Sequence, residues 1–146
     1  MNSLPPNMVA DSASTNSAPL DASALGASLT AADLQTSLAW YRDVLGFTVN
    51  RTFERAGTMF AASLRAGSVA ILLTQDDGAK GSDRVKGAGI SLQLTTAQNI
   101  DELARRARER GATLESDPID VMGARAFRLF DPDGFKLVIS SPRQSV

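Results

Sequence analysis

The sequence contains no histidine and no cysteine among its 146 residues. Imidazole and thiolate are the side chains that hold zinc and most borderline metal ions, so the usual metal chemistry is largely excluded. Nucleophilic catalysis by a cysteine, or by a serine that a histidine activates, is excluded as well. No disulfide can form. This fits a reducing compartment, and we expect a cytoplasmic location.

Charge of one sign and long apolar runs are also missing. The chain has 15 basic and 16 acidic residues, a net charge of −1, which predicts no broad surface for nucleic acid. No apolar run approaches the roughly 20 residues of a bilayer-spanning helix, so we expect no membrane partner. No Lys or Arg precedes Arg42, which argues against a secretory signal or a mitochondrial presequence.

One pattern occurs twice in the chain. A helix-like run over residues 33–47 ends at Gly46, and another over 99–112 ends at Gly111, a spacing of 111 − 46 = 65. The glycines of two later turns, Gly67 and Gly134, lie 134 − 67 = 67 apart. A period of this size that holds a strand, a helix and several strands indicates a duplicated supersecondary unit.

Each unit has the pattern of a strand, a helix and three further strands. Asp33 is the predicted N-cap of the first helix, and Asn99 with Glu102 is a predicted capping box for the second. The Asp-Pro-Asp-Gly sequence at 131–134 has the chemistry of a structural turn, so we do not predict a catalytic carboxylate pair there. Alternation and turn residues predict strands at 26–30, 47–53, 59–64, 69–74, 90–95, 113–115, 124–130 and 135–140.

We predict one folded domain over residues 25–142. It comprises module one at 25–75, a linker at 76–88 that is rich in charge and glycine, and module two at 89–142. Residues 1–24 are mainly Ser, Ala, Asn and Pro without periodicity, which predicts a disordered leader. Residues 143–146 form a short tail.

The first helix and the last hairpin carry a family resemblance. Residues 33–34 and 37–47 resemble the first-helix signature of the vicinal oxygen chelate superfamily, which includes glyoxalase I, extradiol dioxygenases and bleomycin-resistance proteins. Residues 123–134 resemble the last hairpin of that family. The resemblance covers about residues 25–142 and implies an α+β fold: two βαβββ modules whose mixed sheets curl around a cup-shaped pocket.

The family usually places a metal ligand (His, Gln or Glu) on the first and last strand of each module. The resemblance puts these positions at Gly26, at Leu72 (Ile71 if the register slips by one), at Ser91 or a neighbour, and at Val138. None of these residues is a ligand of that kind, and an apolar side chain cannot repay the dehydration of a divalent ion. The resemblance therefore implies the metal-free, bleomycin-resistance-like branch: no metal, no cofactor, and a small molecule bound in the cup.

The cup predicts a site for a planar, partly anionic ligand. Lys136 and Ser140 should face the cup, and Arg125 with Lys136 would give it a positive corner. Phe53, Phe60 and Phe127 lie on strands that could line the cup; for each of them, a place in the core between helix and sheet is the alternative. For Trp40 a place in the core is the alternative, and for Arg125 and Lys136 a solvated rim. The predicted ligand-binding residues are Ser28, Trp40, Phe60, Ser91, Gln93, Arg125, Phe127 and Lys136.

Three functional hypotheses follow. The first is a metal-independent protein that binds or sequesters a small molecule, expected as a homodimer because the sheets leave open edges. The second is an enzyme of the same superfamily: a metal-dependent one with ligands elsewhere, a dioxygenase, or a degenerate lyase or isomerase using Tyr41, Glu54 or Glu115. The third is a protein-interaction module. Arg105, Arg106, Arg108 and Arg110 are expected to form a solvated helix face.

Overall fold

The computed structural model describes residues 18–81 and 83–143. Within them the βαβββ order occurs twice, as predicted. Module one contains β1 (Ala27–Ala31), α1 (Leu34–Asp43), β2 (Thr48–Arg55), β3 (Thr58–Ala66) and β4 (Val69–Gln75). Module two contains β5 (Ser91–Thr95), α2 (Ile100–Glu109), β6 (Ile119–Val121), β7 (Ala124–Phe130) and β8 (Lys136–Pro142).

Each module builds its own four-stranded mixed sheet. The strand orders are β1-β4-β3-β2 and β5-β8-β7-β6. The first strand of each module runs parallel to the last one, and the other neighbours are antiparallel. A parallel pair needs a long crossover, which in each module includes the helix. The predicted α+β class and the two βαβββ modules are therefore confirmed.

Side-chain caps begin both helices. The Asp33 carboxylate accepts a hydrogen bond from the backbone N–H of Thr36 over 3.2 Å, and the Asn99 side chain accepts one from Glu102 over 2.9 Å. Each cap satisfies a backbone donor that the helix itself cannot pair. The predicted capping box at Asn99 is only half formed, because the Glu102 carboxylate pairs with Arg105 instead.

The second strand of module two lies later in the chain than predicted. Residues 113–115 form no strand; Leu114 makes a single bridge to Leu129. The strand β6 follows Pro118 and joins β7 through a two-residue turn in which Met122 and Gly123 have φ of 51° and 78°. Hairpin turns with two positive φ values favour Asn-Gly or Asp-Gly. A Met-Gly turn gives a weak sequence signal, which is why the prediction missed it.

The two modules share one apolar core. Alternate residues of β1 and β4 are buried under α1, and those of β8 are buried under α2. A single cluster of packed side chains joins both sets. Its largest fully buried members are Tyr41 and Phe127, and the others include Leu34, Leu64, Leu73, Leu129 and Leu137. Because the helix-side faces meet in this core, the opposite face of each sheet is left for other contacts.

The segments outside the modules are only partly described. Residues 18–24 contain neither helix nor strand and are exposed; the first 17 residues of the predicted leader and residues 144–146 of the tail lie outside the described residues. In the linker, the Lys86 ammonium lies 3.1 Å from the Asp76 carboxylate and 3.4 Å from that of Asp133. None of the helices in the described part of the chain is long and apolar enough to span a membrane.

Candidate ligand site

The sheet face opposite α1 is lined mainly by polar residues. The register of module one places Ser28, Leu72, Ser63 and Arg51 in one row across β1, β4, β3 and β2. Residues in register share a face, and this row alternates with the buried row that packs on α1. Ser28 is exposed and Leu72 is half-buried. The predicted polar face of module one is therefore present.

The corresponding face of module two also carries charged residues. One row contains Gln93, Val138 and Arg128, and the next contains Ser91, Lys136 and Phe130. Beside the second row a cleft of about 360 Å³ is bounded by Ser91, Phe130 and Lys136 together with Ile90 and the linker residue Gly87. Ile90 is 61% exposed and Phe130 is 45% exposed. Large exposed apolar side chains that flank charged ones are typical of a binding surface.

The charges on this face are only partly neutralised. The Lys136 ammonium lies 3.3 Å from the Glu115 carboxylate. The Arg128 guanidinium forms no ion pair with any residue of the described ranges, and Arg128 is half-buried. In module one the Arg51 guanidinium lies 4.9 Å from the ring centroid of Phe53. An anion at the Arg128 row would meet a guanidinium that has no competing carboxylate.

Two aromatic residues of module one, Phe53 and Phe60, lie together on its β2–β3 hairpin. The Phe53 and Phe60 ring centroids are 6.4 Å apart, and the Arg55 guanidinium lies 4.5 Å from the Phe60 centroid. Phe60 falls at a β-bulge, since the register of β2 with β3 shifts there. It is half-buried and accessible to a partner or ligand on this part of the sheet.

Two predicted site residues lie on the other face. Phe127 is 1% exposed and pairs with Ile139 in the shared core. Arg125 is two residues earlier on β7 and therefore on the same side as Phe127. Its guanidinium binds Asp101 of α2 over 2.8 Å and Asp120 over 3.2 Å. The expected pairing of Arg125 with Lys136 at one corner is corrected by this placement.

The helix residues considered for the site belong to the core. Trp40 is half-buried and packs edge-on against Tyr41, with 4.9 Å between ring centroids. Tyr41 is fully buried and donates a hydrogen bond to Asp131. Burial and the nearby Asp131 carboxylate raise the pKa of Tyr41 above its usual range. Tyr41 is therefore not available as an acid or base toward a ligand, whereas Glu54 and Glu115 are exposed.

The residues at the expected ligand positions do not fit the divalent metal ion of the family. The strand register pairs Leu72 with Ser28 and Val138 with Gln93. Gly26 and Ser91, the positions expected from the resemblance, therefore do not lie opposite Leu72 and Val138. Of the four paired residues, Gln93 alone has an amide oxygen, and its amide nitrogen donates to the Ser91 hydroxyl over 3.3 Å. The described ranges contain no cluster of three or more His, Cys, Asp or Glu side chains. Hard divalent cations require several oxygen ligands, preferably anionic ones.

The prediction included Lys136 but missed two other cations on the polar faces, Arg128 and Arg51. The signal for Arg128 was available in the sequence. Phe130 and Lys136 are paired at the end of one hairpin, so they share a face. Because side chains alternate along a strand, Arg128 lies on this face as well, two residues before Phe130, whereas Arg125 lies on the other face. For Arg51, a register shift within β2 obscures the counting.

Comparisons with known proteins agree with this architecture. The model of the Glyoxalase/Bleomycin resistance protein/Dioxygenase superfamily matches residues 24–139. The chain therefore belongs to that superfamily, and the resemblance seen in the sequence is confirmed. A comparison with the curated proteins gives no match.

Solved structures show the same fold. An integron cassette protein from the mobile metagenome of V. cholerae has 25% identity and a TM-score of 0.66, covering 84% of this chain and 98% of that one. A glyoxylase/bleomycin resistance protein/dioxygenase domain from Frankia sp. EAN1pec has 22% identity and a TM-score of 0.70, with 85% and 100% covered. TioX from Micromonospora sp. ML1 has 20% identity and a TM-score of 0.64, with 83% and 99% covered.

Proposed function

We propose that this protein is a metal-independent, homodimeric protein of the bleomycin-resistance type that binds a small anionic, planar ligand on the polar faces of its sheets. The observation that carries the proposal is the row of Gln93, Val138 and Arg128 beside the row of Ser91, Lys136 and Phe130. These rows combine hydrogen-bonding groups, an exposed aromatic ring and a guanidinium that forms no ion pair with the residues that the structure describes. Binding sites for small molecules combine apolar lining with a few placed polar groups.

The charge of these rows favours an anion. Arg128 has no carboxylate partner in residues 18–81 and 83–143, and Lys136 shares its charge with Glu115 alone. A carboxylate or phenolate between these cations would form charge-assisted hydrogen bonds, which are stronger than those between neutral groups. The exposed Phe130 ring supplies a flat apolar surface for the rest of the ligand.

A second copy of the chain would enclose the ligand. The polar faces point away from the core that the two modules share, and Ser28, Ser91 and Gln93 are exposed. The cleft at Lys136 is lined by module two and the linker, without a residue of module one. A binding pocket buries most of a ligand's surface. A face from each of two copies would provide this burial, and closed two-fold dimers are the commonest oligomers.

Metal independence is supported by the chemistry of the donors. Leu72 and Val138 offer no ligand atom at the positions where the family carries one, and the sequence has no histidine or cysteine. Native mass spectrometry of protein purified without chelator reports metal, copurified ligand and stoichiometry together. We expect a dimer mass without a metal ion. One divalent ion per chain, with loss of stability when a chelator removes it, would support the enzyme instead.

The strand β7 provides a matched pair of variants for the ligand site. Arg128→Gln removes a guanidinium from the polar face, and Arg125→Gln removes one from the opposite face. With naphthoate as a planar anionic probe, we expect Arg128→Gln to weaken binding by about 1–3 kcal/mol, as for a lost hydrogen bond to a charged group. Arg125→Gln should bind naphthoate as wild type does. Equal affinity for all three proteins would place the ligand elsewhere.

A cytoplasmic location stays a prediction.

A further inference from the structure

The two junctions between the modules differ in how well they are filled. At one junction the β7–β8 turn, residues 131–135, reaches α1: Asp131 binds Tyr41, and Asp133 binds Ser37. The corresponding β3–β4 turn contains two residues, Gly67 and Ser68, instead of five. Three residues that fill the first junction thus have no counterpart at the second.

A cleft of about 500 Å³ lies at the second junction. It is lined by the loop that follows α1 (residues 44–47), the β3–β4 turn, β5 with the loop after it, α2, and Ile139 of β8. A volume of this size lies within the range of pockets that hold small ligands. The cleft shares no residue with the polar rows of Arg128 and Lys136.

Two arginines of α2 line the cleft. The Nε atom of Arg106 is buried and has no hydrogen-bond partner within the described part of the chain. Arg110, one helical turn further on, also borders the cleft. Neither forms an ion pair with a described residue, whereas Arg105 and Arg108 on the same helix pair with acidic side chains. This corrects the expectation that all four arginines form one solvated face.

A buried, unpaired N–H of a guanidinium requires an acceptor. Leaving such a group without a partner costs free energy, more for a charged group than for a neutral one. No carboxylate of the described ranges forms an ion pair with Arg106. The Asp43 carboxylate, whose pKa Arg110 lowers to a small extent, is hydrogen-bonded by Arg42, which is the main cause of its lowered pKa.

Apolar side chains from both modules line much of the rest of the cleft, beside the polar residues Ser68, Thr95, Thr96 and Gln98: Leu45, Phe47, Val69, Leu94, Leu103 and Ile139. Val69 is 37% exposed. Apolar walls and an unpaired guanidinium are complementary to a molecule that has one anionic head and an apolar body.

We propose that this inter-module cleft binds a medium-sized monocarboxylate, with its carboxylate on Arg106 and Arg110 and its apolar body between α2 and the loop that follows α1. A carboxylate suits the planar fork of an arginine, which can bind both of its oxygens. The apolar walls discriminate against inorganic anions and small polar acids. The site is separate from the polar sheet faces, so its ligand and the anion of the sheet faces bind independently.

The probe is octanoate, and two related molecules are the controls. Acetate has the same carboxylate without the long alkyl chain, and octanol has the alkyl chain without the charge. Calorimetric titration should show saturable octanoate binding and no comparable affinity for acetate or octanol. Arg106→Gln should weaken octanoate binding about tenfold or more, as for a lost charge-assisted hydrogen bond. Arg108→Gln, on the same helix but paired with Asp117, is the matched control and should leave octanoate binding unchanged.

A spectroscopic readout keeps the test valid if Arg106→Gln destabilises the fold. In wild-type protein the Arg106 Nε–H resonance should shift during octanoate titration and saturate with the calorimetric affinity. The proposal is overturned if that resonance is unmoved at saturation, if Arg106→Gln binds octanoate as wild type does, or if acetate binds equally well. Loss of octanoate binding in Arg128→Gln, with Arg106→Gln normal, would overturn it and assign this ligand to the sheet faces.

Discussion

The phenol of Tyr41 donates a hydrogen bond of 2.7 Å to the Asp131 carboxylate, joining the helix of module one to the last turn of module two. The second oxygen of Asp131 accepts the backbone N–H groups of Asp133 and Phe135 over 2.9 Å each. The same carboxylate thus shapes its own turn and holds it against α1. Both residues are almost fully buried, so the pair belongs to the core.

Tyr41→Phe should destabilise the protein by about 1–3 kcal/mol, because the substitution leaves a buried carboxylate oxygen without its donor. The ring itself is retained, so packing changes little. Urea unfolding measures the difference. Ser37→Ala is the comparison: it removes a weaker bond of 3.1 Å to Asp133, which keeps a hydrogen bond from the Ala32 N–H, and should cost less. A Tyr41→Phe protein as stable as wild type would show that Asp131 finds another donor.

The loss of folding stability at acidic pH should depend on Asp76. Its pKa is lowered to about 2, first by the hydrogen bond from the Gly78 N–H and then by Lys86 and Arg84. The unfolded value is about 3.9. A lowered carboxyl pKa contributes stability above the unfolded value, and this contribution is lost as the pH falls from about 4 to about 2.

Asp76→Asn should therefore flatten the stability profile between about pH 4 and pH 2. The pH dependence of the contribution of Asp131 to stability has the opposite sign. Burial raises the pKa of Asp131, so its contribution to stability is lost as the pH rises. Asp131→Asn should make the acid loss steeper, since it removes a gain that partly offsets the loss at Asp76. Denaturant unfolding at a series of pH values tests both. Parallel profiles for Asp76→Asn and wild type would contradict the assignment.

The repeat, the capped helices and the Asp-Pro-Asp-Gly turn could be predicted because each depends on local chemistry. Asp33 and Asn99 cap helices wherever an amphipathic run follows them. Prediction of the site depended on the strand register instead, because a shift of one residue moves every side chain of a strand to the opposite face of the sheet. Arg125 was assigned to the wrong face for that reason. The pairing of Tyr41 with Asp131 could not be predicted, because nothing local relates residues 90 positions apart.

The protein should be a homodimer. Ile90 and Phe130 are exposed beside the polar face of module two, and β2 and β6 are edge strands with unpaired backbone groups. A second copy would cover these groups and enclose the ligand site. Light scattering at micromolar concentration should give the mass of two chains. A single-chain mass that does not change on concentration would rule out a pocket shared between copies.

Residues 1–24 should be dispensable for folding. Their composition of Ser, Ala, Asn and Pro lacks the apolar periodicity needed to offset the entropy cost of ordering. Residues 18–24 are exposed, and β1 begins later, at Ala27. Deletion of Met1–Ala24 should leave the melting temperature nearly unchanged in a thermal scan. A drop of several degrees would mean that the segment packs on the domain.

Gly87 of the linker and Gly89, the first residue of module two, permit a sharp test of packing, because both have φ of +76°. Alanine at either position costs about 1–2 kcal/mol for the left-handed conformation. A Cβ at Gly87 would lie 2.9 Å from the Phe135 ring and 3.1 Å from its Cα, whereas one at Gly89 meets nothing within 4 Å. Gly87→Ala should therefore be less stable than Gly89→Ala by about 1–3 kcal/mol, the usual cost of overpacking. Urea unfolding of the two variants isolates this contact, since the backbone term is common to both. Equal stabilities would show that the linker moves away from Phe135 without cost.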